Sequence, residues 1–232
     1  MNNEQIVCIL SGFIKNGSVI TTGVASPLPL FAIRLAQLSK DFTYLNCTGA
    51  IDPVISRSTY SSVTVHALEN KNSELKLEAI WDYANRNLID LMFFGASQAD
   101  SRGNINLTCI GDYKGPKVKL PGPAASVSLR RKVKQSILVI PKHSKKVFVE
   151  KVDFITSPAV KNTLAVTDLC LFELGGNPKI LSIHPGHTLD EVKENTGFQF
   201  EIPSKISQTP MPTQEELCLI KKLDTDNLLD KV

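Results

Sequence analysis

No run in the 232-residue sequence comes near the ~20 consecutive apolar residues of a membrane span, so no membrane helix and no membrane partner are expected. The first residues, Met1-Asn2-Asn3-Glu4-Gln5, are polar with no long apolar run behind them, so no signal peptide is expected. An excess of one charge sign is also missing. Lys and Arg total 26 against 23 Asp and Glu, a net +3 that is too small to imply a nucleic-acid partner. The one basic cluster, Arg130-Arg131-Lys132 with Lys134, is short and lacks interleaved aromatics. It reads as a solvated helix end, with the phosphates of a nucleotide-bearing ligand as the alternative. Cysteines are few and scattered (Cys8, Cys47, Cys109, Cys170, Cys218) and none forms a CxxC pair. That argues against a disulfide framework or zinc site and fits a reducing cytoplasm. His66, His143, His184 and His187 are not at metal-ligand spacing, and no metal is expected. There is no Gly-x-Ser-x-Gly elbow, dinucleotide fingerprint or P-loop. Repeats, low-complexity tracts and linkers are missing too, so residues 1–232 read as one domain.

What is present is a set of strands that run into loops of small residues. Phe42, Tyr44 and Leu45 are strand formers, and Asn46-Cys47-Thr48-Gly49-Ala50 turns the chain where that strand ends. Ligands of open α/β sheets bind at the carboxyl ends of strands. Cys47 is therefore either a buried structural cysteine or a thiol at a functional site. Residues 18–22 are β-rich, Gly23-Val24-Ala25-Ser26-Pro27 is a small-residue loop, and 28–38 is an amphipathic helix. This is the first half of a βαβ unit. The helix start after Pro27 either faces an anion with its free N–H groups or only packs closely on the sheet. The apolar run 89–94 ends in Gly95-Ala96-Ser97-Gln98, and residues 120–126 read as a loop opening a short helix.

Further helices are expected over 4–15, 78–87, 189–195 and 214–222. Strands are expected over 63–68, 105–110 and 137–140, with a hairpin of 170–174 and 180–183 around Gly175-Gly176-Asn177. The last residues, 224–232, are polar and are expected to lie over the surface or a partner. The order predicts an α/β domain with a mostly parallel sheet and an antiparallel extension.

Several segments resemble the B subunits of class I CoA-transferases of the glutaconate CoA-transferase type. Gly23-Val24-Ala25-Ser26-Pro27-Leu28 is similar to that family's Gly-x-Gly-x-Pro loop. Gly95-Ala96-Ser97-Gln98-Ala99-Asp100, Gly103-Asn104-Ile105-Asn106 and Ile110-Gly111-Asp112-Tyr113 resemble its specific middle run, and Asn195-Thr196-Gly197-Phe198 resembles its C-terminal motif. The resemblance spans nearly the whole chain. It implies a three-layer α/β/α fold and an A (α) subunit as partner, in an α2β2 heterotetramer.

Departures from the family bear on activity. In the resembled transferases the turn after the central strand carries a glutamate that attacks acyl-CoA and holds CoA as a glutamyl thioester. Cys47 occupies that position here. The oxyanion loop, Gly-x-Gly-Gly-Ala in the family, is Gly122-Pro123-Ala124-Ala125-Ser126. Pro123 offers no N–H, whereas Ala124 and Ala125 still do. With Cys47 in this setting, the chain resembles the branch that decarboxylates 3-methylglutaconyl-CoA through a dienolate. The resemblance implies that Cys47 is the catalytic-site thiol, positioning the carboxylate or a water. It implies that Ser26, Asn46, Thr48, Gly49, Gln98, Gly122, Ala124 and Ala125 meet the substrate. Coenzyme A is expected only as part of the substrate thioester, with no resident cofactor, in a cytoplasmic enzyme. The alternatives are a true CoA-transferase of glutaconate or 3-oxoacid type, a CoA-thioester ring-opening hydrolase, and a non-catalytic subunit.

Overall fold

The structure, a computed structural model, describes residues 3–57, 59–161 and 163–232. The chain forms two compact units. Among the described residues, the first holds those within 3–94, 132–134 and 211–232, and the second those within 95–131 and 135–210.

In the first unit, helix α1 (Asn3–Phe13) leads to strand β1 (Val19–Thr22), helix α2 (Pro27–Gln37) and strand β2 (Thr43–Leu45). Strands β3 (Ala50–Ile51) and β4 (Ser73–Glu74), helix α3 (Leu77–Asn85) and strand β5 (Leu91–Phe94) follow. Strand β1 pairs in parallel with β2 on one side and β5 on the other, and β2, β3 and β4 continue antiparallel. Central parallel strands are buried on both faces, and here Ile20, Tyr44, Leu45 and Phe93 are all buried. Pro27 opens α2 at the position where its missing N–H costs nothing. Leu28, Leu30, Phe31, Ile33 and Leu35 of α2 are buried, as are Ile6, Val7 and Leu10 of α1, which packs against it.

In the second unit, short strands β6 (Gln98–Ala99) and β7 (Ile105–Asn106) form one antiparallel pair, and β8 (Cys109–Ile110) and β9 (Val118–Lys119) another. A helical turn, α4 (Ser126–Leu129), precedes β10 (Gln135–Ile140), which pairs in parallel with β11 (Thr163–Thr167). The expected hairpin follows as β12 (Cys170–Leu174) and β13 (Lys179–Ile183). Helix α5 (Leu189–Asn195) and strand β14 (Ser207–Gln208), parallel to β13, complete this unit. Helix α6 (Gln214–Leu223) returns to the first unit and packs on α1 and α2. It starts with a capping box between Thr213 and Glu216. The α/β class and the parallel strands with antiparallel extension are as the sequence predicts.

Several local expectations are corrected. Residues 63–68 are not a strand: Val65–Leu68 is a 3-10 turn, because the Thr64 hydroxyl accepts the Ala67 N–H and offers the backbone a local alternative. The stretch 105–110 is broken into β7 and β8, because the Asn106 side-chain oxygen accepts the Thr108 and Cys109 N–H groups. The chain end is anchored by the Asp224 carboxylate, which accepts the N–H groups of the buried Leu228 and Leu229.

The basic cluster is also not a uniformly solvated helix end. Arg130 is only 1% exposed. It donates to Gly103 O at 2.8 Å, Thr163 Oγ1 at 3.1 Å, Ser136 Oγ at 3.1 Å and Pro158 O at 3.2 Å. A buried charge persists when its donors are satisfied, and Arg130 satisfies its own on backbone and hydroxyl oxygens. Arg131, Lys132 and Lys134 are not buried in this way.

Candidate active site

Strand β2 is followed by Asn46, which is fully buried and organises the turn after it. Its side-chain oxygen accepts from Thr48 N at 2.9 Å and Thr48 Oγ1 at 2.7 Å. Its amide nitrogen donates to the Tyr44 phenol and to Ser62 O, both at 3.2 Å. An asparagine closing such a turn on its own backbone is a local preference of the residue. The turn finishes at Gly49, with φ +101, whose carbonyl accepts from Leu75 N at 2.8 Å. A Cβ at Gly49 would sit 2.1 Å from Leu75 O, so glycine is required there.

Cys47 stands on this turn, half-buried. Its Sγ is 3.2 Å from the Oγ of Ser62. Burial is the largest influence on the Cys47 thiol and pushes its pKa above the ordinary value. Cys47 is therefore a neutral thiol near pH 7. The neighbouring Tyr44 phenol, also raised by burial, is neutral as well. Ser26, buried at the start of α2, makes no side-chain bond to the helix end. The sequence did not single out Ser62. It lies fifteen residues from Cys47 in an irregular stretch where no periodicity marks it.

Gln98, Gly122, Ala124 and Ala125 belong to the second unit. Gln98 is buried, and its side-chain oxygen accepts from Asn106 Nδ2 at 2.8 Å and Asp153 N at 3.0 Å. Close by, Asp100 accepts the N–H groups of Arg102 and Asn104 and the Asn104 amide. The run from Gln98 to Asn106 thus forms an interlocked turn whose Gly103 carbonyl receives Arg130. In the 122–126 loop, Gly122 N donates to Leu107 O and Ser126 N to Pro123 O. Among the described residues nothing accepts from the Ala124 or Ala125 N–H. Ala124 holds φ +42, a left-handed conformation disfavoured for a residue with a Cβ. The Ser126 hydroxyl is buried with no partner among the described residues. The C-terminal motif is packing. Thr196 Oγ1 bonds Val192 O and His143, Gly197 leaves no room for a Cβ against Phe148 O, and Phe198 rests on Phe148 and Phe172.

The neutral thiol at a strand end of the first unit and the uncommitted backbone amides of the second unit each suit an enzyme of acyl thioesters. Known proteins point the same way. The model of the family described as "Coenzyme A transferase" matches residues 4–195. The B subunit of 3-oxoadipate CoA-transferase from Pseudomonas knackmussii is 32% identical, over 96% of this chain and 92% of its own. The B subunit of glutaconate CoA-transferase from Acidaminococcus fermentans is 25% identical, over 95% and 91%. The crystal structure of the decarboxylase AibA/AibB matches with a TM-score of 0.94 and 33% identity, over 99% of this chain and 97% of that one. That decarboxylase has also been solved as variants with one cysteine replaced by valine, serine, alanine or asparagine. The chain belongs to the coenzyme A transferase family.

Proposed function

We propose that this chain is the B subunit of a heteromeric acyl-CoA decarboxylase of the family, acting on a dicarboxylic enoyl-CoA thioester of the 3-methylglutaconyl-CoA kind. The observation that carries the reading is Cys47, a neutral and partly desolvated thiol where the resembled transferases have their glutamate nucleophile. A glutamate there captures CoA. A thiol with a raised pKa is a weak nucleophile at neutral pH, and it places no negative charge beside a departing carboxylate. The 0.94 TM-score match to a decarboxylase supports the same reading.

In the proposed reaction the bond from the distal carboxylate carbon to its neighbour breaks and CO2 departs. The electron pair passes through the conjugated system onto the thioester oxygen as a dienolate. Water returns a proton to carbon, leaving an enoyl-CoA lighter by CO2. The Ala124 and Ala125 N–H groups are assigned to the developing oxyanion, a role in which one donor is typically worth about 3 kcal/mol. Ser26, Asn46, Thr48, Gly49, Gln98 and Gly122 are assigned to shaping and holding the substrate. Coenzyme A enters only with the substrate. The partner is an A subunit in an α2β2 assembly, in the cytoplasm.

A CoA-transferase is the second reading, favoured by the names of the sequence relatives. It requires a working carboxylate from elsewhere, for example the A subunit. Replacing Cys47 by alanine in the co-purified complex tests the first reading. Decarboxylation is expected to slow at least about tenfold, the size of one lost positioning hydrogen bond; an unchanged rate removes Cys47 from the reaction.

A further inference from the structure

We infer that Ser62 is the positioning residue for Cys47: its oxygen takes the thiol proton, so the S–H points inward and only sulfur lone pairs are left for an approaching substrate. The direction follows from proton counting. A serine hydroxyl has one proton and two lone pairs. Ser62 Oγ lies 2.6 Å from Gly23 O and 2.9 Å from Val24 O, and neither carbonyl has a proton to give. The Ser62 proton is therefore used on those carbonyls, and its oxygen faces Cys47 Sγ as an acceptor. Ser62 is also fully buried, whereas Cys47 is only half-buried, so this bond draws the thiol proton away from solvent.

Ser62 has no freedom to turn. Its N–H donates to Val24 O at 2.8 Å and its carbonyl accepts the Asn46 amide at 3.2 Å. Both backbone groups and both roles of its hydroxyl are thus occupied. The residue joins the Gly23-Val24 loop to the turn that carries Cys47. The titratable neighbour is Tyr44, whose phenol is bonded to Thr22 and Asn46.

The chemical consequence rests on the decarboxylase reading above. CO2 is lost from an ionised carboxylate, not from the acid. A thiol whose proton is committed to Ser62 does not protonate that carboxylate and carries no net charge to repel it. Its lone pairs accept a hydrogen bond from the water that returns the proton to carbon, and that is the positioning bond lost in Cys47→Ala.

The test reads the thiol without substrate, so its failure is separable from failure of the decarboxylase reading. The pH dependence of iodoacetamide alkylation at Cys47 is followed by peptide mass spectrometry on the full chain with its A subunit. In Ser62→Ala the thiol loses its acceptor while the thiolate loses no donor. The alkylation midpoint is expected to fall by about one pH unit, and Ser62→Thr, which keeps the oxygen, to return it toward the native value. A midpoint that rises or stays in place in Ser62→Ala overturns the proposal, since Ser62 would then donate to the sulfur or not act on it. A second measurement needs no Ser62 variant. The Cys47 S–H stretch, isolated by subtracting the infrared spectrum of Cys47→Ala, is expected at the low-frequency position of a donating thiol. A band at the free-thiol position overturns the assignment.

Discussion

Replacing Gly49 by alanine is expected to be among the most damaging single-methyl changes in the first unit. Its φ of +101 lies in the region that glycine tolerates and alanine does not, a penalty of about 1–2 kcal/mol. The added Cβ would lie 2.1 Å from Leu75 O, a backbone atom that cannot swing aside as a side chain would. Relief requires the β4 end to move away from the Cys47 turn, which breaks the Leu75 N to Gly49 O bond. That adds about 1 kcal/mol for the bond and a further 1–2 kcal/mol for disturbed packing. The sum is about 3–5 kcal/mol, read as a fall in the urea midpoint at constant slope. Gly17→Ala is the control. Gly17 also has positive φ, +73, but nothing lies within 4 Å of a Cβ there. It should lose only the conformational part, about 1 kcal/mol. Alkylation of Cys47 should also quicken in Gly49→Ala, because the turn loosens. Equal losses in the two variants would refute the steric argument.

Arg130→Met removes every donor that meets Gly103 O and Pro158 O and is expected to cost about 3 kcal/mol, less than the sum of the broken bonds because a buried charge is relieved too; a loss under about 1 kcal/mol in urea unfolding would contradict the structural role. Burial pushes both His143 and His184 down to about 4. Their unfolded value is near 6.5, so the unfolded chain binds protons that the native chain refuses. Stability is then full above about pH 6.5 and lost as pH falls toward 4. His143→Gln should flatten that fall in urea midpoints measured between pH 7 and 4, and an identical slope in the variant would contradict the assignment.

The strand–loop–helix order was readable because glycine and proline punctuate the runs, because β1 is rich in β-branched residues, and because β5 is apolar enough to be central. The Cys47 turn was readable for the same reason. Ser62 was not, because its partners come from two separate stretches of chain, Gly23-Val24 and Asn46-Cys47, and its neighbours in sequence carry no pattern. Arg130 was misread because a run of like charges looks solvated, and only folding brings Gly103, Ser136, Pro158 and Thr163 around it. The run from Gln98 to Asn106 was recognisable as a motif. Its chemistry was not, since the structure shows its side chains holding one another and the backbone.

The central claim is that Cys47 marks a decarboxylase rather than a transferase. It is tested most directly by mass spectrometry of the acyl-CoA products. The chain, co-purified with its A subunit, is incubated with 3-methylglutaconyl-CoA or glutaconyl-CoA, with and without acetate. The account predicts a product lighter by CO2 in equal amount with or without acetate. Acetyl-CoA formed only when acetate is present would contradict it and show that CoA transfer proceeds without the glutamate.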